Sequence, residues 1–367
     1  MTGSMRIAGH ELYVYRLPYR RPVTWFNSTE DAGEFVALRL FGEDGSRGVA
    51  EAAVKATWSG LSPRALVSLV QDVLLPSLAG QDVSDLQAVR RTLSIFPDNQ
   101  LAKMLVVNAC ATLSANGAER GQHATSGGTL SVEVSWCVTR QDPKLMAEEA
   151  AAMIGRYGFG TLKLKGGQGF ETDRRMLRAV RSAVGDDIVL TVDANGAYTL
   201  GQAAEYLGIL AGEGVVLAED PAPFAPDTAF GALLASSPLP VLVDSPCITV
   251  ADANAFIEAG ATALSIKPGR VGVAEAAAIA GICQARGIGV CAGMYAESAL
   301  GSLISLQFAA ALPEPVAPAE QSFYLSMSEQ VLTVPLAVER GRIELPDLAA
   351  LDSLVDWGRL QRLSGAP

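Results

Sequence analysis

Five short apolar runs each end in a charged residue: LKLK at Lys165, LTVD at Asp193, VLAE at Glu219, VLVD at Asp244 and LSIK at Lys267. Successive ends lie 28, 26, 25 and 23 residues apart. Each interval is the length of one strand, one helix and their loops, so this stretch reads as repeated βα units. Eight strands are expected: Leu130–Val138, Thr161–Lys165, Ile188–Asp193, Val215–Glu219, Val241–Asp244, Ala263–Lys267, Ile288–Ala292 and a weaker one over Val316–Glu320. Segments such as Lys144–Tyr157, Asp173–Val184 and Ala274–Arg286 read as the intervening helices. Eight alternating units predict an α/β fold with a closed (β/α)8, TIM-like barrel, although a doubly wound sheet also alternates. In a barrel all strands end at one face, so the five charges converge on one mouth.

The rest of the chain is expected to flank the barrel. Glu11–Arg16, Glu34–Phe41 and Val49–Val54 read as a three-stranded meander, with Tyr19–Gly33 as a polar loop between the first two. Helical periodicity then runs through Leu66 to Leu113, giving an α+β unit that ends near Gly121. The domain division expected is 1–125 for this unit, 126–325 for the barrel, and 326–367 for a C-terminal segment returning to the first domain.

Composition narrows the function. With 28 basic against 39 acidic residues the net charge is −11, and no basic run interleaved with aromatics exists to neutralise phosphates, so nucleic acid is not an expected partner. No apolar window is long enough to span a bilayer, and Met1–Gly9 lacks the apolar core of a signal peptide, so a cytoplasmic protein without a membrane partner is expected. Cys110, Cys137, Cys247, Cys283 and Cys291 are scattered in apolar runs and read as reduced core thiols. The two histidines, His10 and His123, lie outside any catalytic pattern, which leaves acid–base chemistry to Lys, Asp, Glu or Tyr.

Asp193, Glu219 and Asp244, on adjacent strands, supply hard oxygens suited to a divalent ion such as Mg²⁺. Without a cation they repel one another. Taken singly, each could instead cap the helix after its strand. Lys165 and Lys267 stand on the second and sixth strands and face a bound ligand from opposite sides, an acid/base pair on two faces of one carbon. A dication and a second lysine nearby would depress a lysine's pKa toward neutrality. Lys163 shares the inward face with Lys165 and is assigned a supporting role, with a salt bridge inside the barrel as the alternative.

These stretches, TLKLK, VDANGAY, LAEDP, VLVDSP, SIKPGRVG and GMYAESALGS, resemble the enolase superfamily and, within it, the muconate lactonizing enzyme subgroup. VAEA and TWSG extend the resemblance to that superfamily's capping domain. The resemblance implies a Mg²⁺-stabilised enediolate (Mn²⁺ as a second possibility) formed by proton abstraction α to a carboxylate. Asp193, Glu219 and Asp244 are the implied ligands, Lys165 and Lys267 the catalysts, and Glu297 an acid orienting substrate or a lysine. It also implies a homo-oligomer. No histidine stands on the later strands, which disfavours the mandelate racemase branch. The chain departs from the subgroup at Ser245, at Gly272–Val273 and at PAEQS, which lacks the DxD of dipeptide epimerases.

Substrate choice falls in such a family to the capping loops Tyr19–Gly33 and Val54–Gly60. Arg20, Arg21 and Lys55 suit a second carboxylate. Trp25, Phe26 and Trp58 with Glu297 or Glu320 suit a cationic amine, and Asn195 follows the first acid. Three readings result for a small carboxylate substrate. The first is a racemase, epimerase or dehydratase of a small amino acid such as a (hydroxy)proline analogue; the second is a muconate-type cycloisomerase; the third is a noncatalytic metal- or carboxylate-binding barrel.

Overall fold

The computed structural model describes residues 5–117, 130–347 and 350–364. The expected ends of the first unit, near Gly121 and at residue 125, lie outside these residues, as does His123.

Three antiparallel strands, β1 (Ile7–Thr24), β2 (Thr29–Gly42) and β3 (Arg47–Ala53), open the chain in the order β1-β2-β3. The expected Tyr19–Gly33 loop is instead the far end of a long hairpin. Its strands pair out to Thr24 with Thr29, through an irregularity between Pro18 and Val23, and only Trp25–Ser28 turn. Tyr15, Leu17 and Tyr19 are buried while Arg16, Pro18 and Arg20 are exposed, so the charged residues form the outer face of a strand. The Gln100–Gly117 helix packs on β3 and β2.

The barrel wall is a parallel sheet ordered β11-β10-β9-β8-β7-β6-β5. Its strands are β5 (Trp136–Val138), β6 (Thr161–Lys165), β7 (Val189–Asp193), β8 (Leu217–Glu219), β9 (Val241–Val243), β10 (Ala263–Ile266) and β11 (Gly289–Ala292). The first expected barrel strand, Leu130–Val138, is split. Its start, β4 (Ser131–Glu133), pairs antiparallel with β12 (Arg342–Glu344). The eighth, Val316–Glu320, forms no regular ladder. Pro313, Pro315 and Pro318 remove backbone donors there, yet the segment still closes the wall. The Val316 amide donates to the Val290 carbonyl and Glu320 to Ala292 on one side, while Ser135 and Ala319 exchange bonds with Ala319 and Glu133 on the other. A (β/α)8-type barrel results.

The C-terminal segment runs back onto the hairpin sheet. Asp352 takes both a 2.6 Å and a 2.9 Å bond from Arg39, whose guanidinium lies 4.1 Å from the Trp357 ring centre. Leu351–Leu354 packs on β3 and Trp357–Leu363 on β1. Among the described residues no helix is long and apolar enough to cross a membrane, and all five cysteines are free and buried.

Sheet and barrel meet at Glu51, a fully buried acid on β3. It accepts from the Ser298 amide at 2.9 Å and from the Ser298 and Tyr15 hydroxyls. Burial pushes its carboxyl up to about 7, against those hydrogen bonds and with the charge of Glu297 adding to the rise. Between its ordinary 4.5 and 7 the folded state holds a proton that the unfolded chain has released. Stability therefore falls as pH rises through that window, by up to about 3 kcal/mol. Urea unfolding at pH 5 to 8 is expected to show this decline in the native chain and a flatter profile in Glu51→Gln; identical slopes would refute the assignment.

Candidate active site

Register builds the site. Lys165 pairs with Asp193 across β6 and β7, and Asp193 with Glu219 across β7 and β8. Glu219 then pairs with Leu242, and the Asp244 that follows β9 lies two residues on. Lys267 follows β10 in the same way. All five charged ends are buried, at 7% exposure or less.

Each ammonium is turned onto a carboxylate. Lys165 Nζ lies 2.6 Å from Asp193 Oδ2, and Lys267 Nζ 2.5 Å from Asp244 Oδ2. Lys163 bridges three acids, 2.6 Å from Glu219, 2.7 Å from Glu320 and 3.4 Å from Asp193. Burial alone would lower both β6 lysines, but Glu219, Glu320 and Asp193 hold Lys163 well above its ordinary value, and Asp193 raises Lys165. Against its own burial, Asp193 is held down to about 2 by Lys165 and Lys163. Asp244 is lowered by Lys267 and Arg270 against the same opposition. Glu219 goes the other way, pushed well up by burial and by the charge of Asp193.

Among the described residues no three acids, histidines or cysteines already converge as a metal cluster. The donor set nevertheless fits a hard cation. Glu219 Oε1 is buried without any hydrogen-bond donor, and Asp244 Oδ1 has only Arg270 Nη2 at 3.1 Å, out of hydrogen-bond alignment. Oxygens this buried are costly unless something cationic meets them.

A cavity of about 440 Å³ opens over these strand ends, in the range of a small-ligand site. Lys163, Lys165, Asn195, Asp244, Lys267 and Glu320 line its floor, and Trp25, Phe26 and Trp58 line its roof from the hairpin turn and the short Ala56–Ser59 helix after β3. Asn195 is anchored by donating to Asp193 at 3.0 Å from a left-handed backbone, φ 52°.

Four residues expected at the site are elsewhere. Arg21 donates to Glu149 at 2.8 Å and to the Thr139 hydroxyl at 3.0 Å, away from the cavity. Arg20 lies on the outer face of β1, donating to the Leu325 carbonyl at 3.2 Å. Lys55 is buried behind the roof, paired with Glu30 and 4.8 Å and 5.2 Å from the Trp25 and Trp58 ring centres. Glu297 is turned away into the barrel wall, accepting from the Tyr295 amide at 2.6 Å and the Ser305 hydroxyl at 3.2 Å. The backbone reverses at Ala296, φ 60°, so Tyr295 lines the cavity instead.

Two further residues of the site, besides Tyr295, carry no role in the sequence reading. Arg270 lines the cavity and donates to the Asp244 and Cys247 carbonyls at 3.0 Å and 3.1 Å. Its place in SIKPGR, one helical turn after Lys267, is the available signal. Asp220, at φ 38°, accepts from the Asp244 and Ser245 amides at 3.0 Å and 2.7 Å and so fixes the backbone carrying the third acid.

Known proteins share this architecture. Residues 145–350 match the family model described as enolase C-terminal domain-like. The chain is 28% identical over 352 residues to an N-succinylamino acid racemase of Amycolatopsis sp., covering 93% of each. It is 26% identical over 374 residues to muconate cycloisomerase 1-2 of Acinetobacter lwoffii, covering 99% of this chain and 96% of the relative. The crystal structure of a muconate lactonizing enzyme from Mucobacterium smegmatis with muconolactone superposes with a TM-score of 0.90 at 24% identity, over 98% and 99% of the two chains. With more than half the chain matched by the family model and the strand-end lysines and acids on one cavity, the protein belongs to the enolase superfamily and is an enzyme.

Proposed function

We propose that the enzyme removes the proton α to the carboxylate of a small amino acid, with a cyclic proline analogue as the substrate to test first. The observation that carries this reading is the placement of Lys165 and Lys267 on the second and sixth strands of the wall, flanking one cavity. One Nζ removes the proton and leaves its electron pair on the carbon acid. The other returns a proton to the opposite face, inverting the centre, or protonates a departing β-hydroxyl so that water leaves and an alkene remains.

Asp193, Glu219 and Asp244 would hold Mg²⁺, or Mn²⁺ as the alternative. When bound, such an ion supplies charge stabilisation to the substrate carboxylate as it becomes an enediolate. Trp25, Phe26, Trp58 and Tyr295 exclude water and present aromatic surface to a compact apolar ring. Glu320 is engaged by Lys163, and Lys55 already sits on Trp25 and Trp58. The N-succinylamino acid racemase relative makes an N-acylated amino acid the second form of this substrate to test.

A second reading, a muconate-type cycloisomerase, is favoured by Arg270, a cation at the cavity suited to a second carboxylate. Product analysis separates the readings. The purified enzyme with Mg²⁺ is given L-proline, cis-3-hydroxy-L-proline, N-succinyl-L-phenylalanine and cis,cis-muconate. Inversion or loss of water from an amino acid supports the first reading. Lactone from muconate alone would replace it with the second.

A further inference from the structure

We propose that the two lysines are held by two separate clasps, Arg140 behind Lys165 and Asn108 behind Lys267, so that each face of the reaction can be impaired alone. The proposal rests on the proton-transfer reading above and deepens it.

Arg140, 8% exposed, follows the first strand of the wall. Its Nε donates to the Gly166 carbonyl at 2.8 Å and its Nη2 to the Ala194 carbonyl at 3.4 Å. These carbonyls belong to the residues immediately after Lys165 and Asp193, so one planar fork fixes the chain where both strands end. The strand ends are also joined directly, the Gly166 amide donating to the Asp193 carbonyl at 2.9 Å. On the other side Asp173 accepts from the Gly167 and Gln168 amides at 2.7 Å and 3.1 Å. Gly167 has φ 76°, and a Cβ there would meet the Ala194 carbonyl at 2.6 Å and Arg140 Nη2 at 2.8 Å. The fork reaches the strand ends only because that position is glycine. Arg140 also lies 5.1 Å from the ring centre of Phe26 in the roof.

Asn108, 2% exposed, comes from the other domain, on the Gln100–Gly117 helix. Its Nδ2 donates to the Pro268 carbonyl at 3.2 Å and its Oδ1 accepts from the Val273 amide at 2.8 Å. It thereby grips both ends of the Pro268–Val271 turn, whose Arg270 and Val271 amides donate back to the Lys267 carbonyl. Neither residue's hydrogen bonds reach the other lysine's strand end. Both are positioning residues.

The test uses the full enzyme with Mg²⁺ in D₂O and L- and D-proline as probes, following loss of the α-proton signal. The antipode served by each lysine is assigned by Lys165→Ala and Lys267→Ala. Arg140→Lys, which keeps the charge but not the fork, is expected to slow exchange of the Lys165 antipode at least tenfold more than that of the other, any loosening of the Asp193 strand end acting on both alike. Asn108→Leu is expected to do the reverse. Equal slowing of both antipodes in either variant would overturn the proposal. If the native enzyme exchanges neither proline, the substrate reading fails, and amide deuterium uptake decides the clasps without a substrate. Arg140→Lys is expected to speed uptake in 162–169 and 191–198 but not in 264–273, and Asn108→Leu the opposite. Uniform or unchanged uptake would overturn it.

Discussion

Replacing Lys165 or Lys267 by alanine is expected to lower the rate of α-proton removal from one face of the substrate by about 10² to 10⁴-fold, the usual contribution of a positioned general base. The effect is one-sided because the lysines stand on opposite strands of the wall and each is paired to its own acid, Asp193 or Asp244. Exchange with solvent from the untouched face therefore persists while net inversion is lost in both variants. Following each antipode in D₂O checks this, and loss of exchange at both faces from a single replacement would refute the division of labour. For a substrate with a β-hydroxyl, the variant lacking the abstracting lysine is expected to lose elimination altogether.

Lys163→Met is expected to cost stability rather than a single face of the chemistry. Lys163 is 2% exposed and bridges Glu219, Glu320 and Asp193. Its removal leaves three buried carboxylates without their common cation, a change of the kind that costs about 3–5 kcal/mol. The sign of the pH dependence follows from the same geometry. Glu219, already pushed up by burial and by the charge of Asp193, binds a proton more tightly in the folded state than in the unfolded chain once Lys163 is gone, so the deficit is larger at pH 8 than at pH 5. Urea unfolding of the metal-free protein measures it. A loss under about 1 kcal/mol at pH 8 would show that the bridge is dispensable.

The barrel and the floor of the site were legible because both depend on local signals. An apolar run ending in a charge marks a strand end, and the fold brings consecutive strand ends to one face. Lys163, Lys165, Asn195, Asp244, Lys267 and Glu320 all line one cavity for that reason. Residues whose placement depends on backbone reversal or on non-local pairing were not legible. Glu297 and Tyr295 are two apart, and the left-handed Ala296 between them decides which one reaches the cavity. Arg20 and Lys55 sit in segments that read as polar loops, whereas the in/out alternation along β1 sends Arg20 outward and burial against Glu30 takes Lys55 out of reach. The far end of the hairpin was missed because its outer face is charged, which masks a strand's alternation when only hydrophobicity is followed. The eighth strand's weak signal was accurate in physical terms, since its prolines allow closure of the wall but no ladder.

The most direct measurement is the α-proton signal of pooled small carboxylates, amino acids and N-acylated amino acids by ¹H NMR in D₂O. The native enzyme with Mg²⁺ is compared with the EDTA-treated enzyme and with the Lys165→Ala/Lys267→Ala double variant. The account predicts that at least one α-proton signal disappears with the native enzyme, persists after EDTA treatment and persists with the double variant. Exchange that continues undiminished in the double variant would contradict a site built on these two lysines.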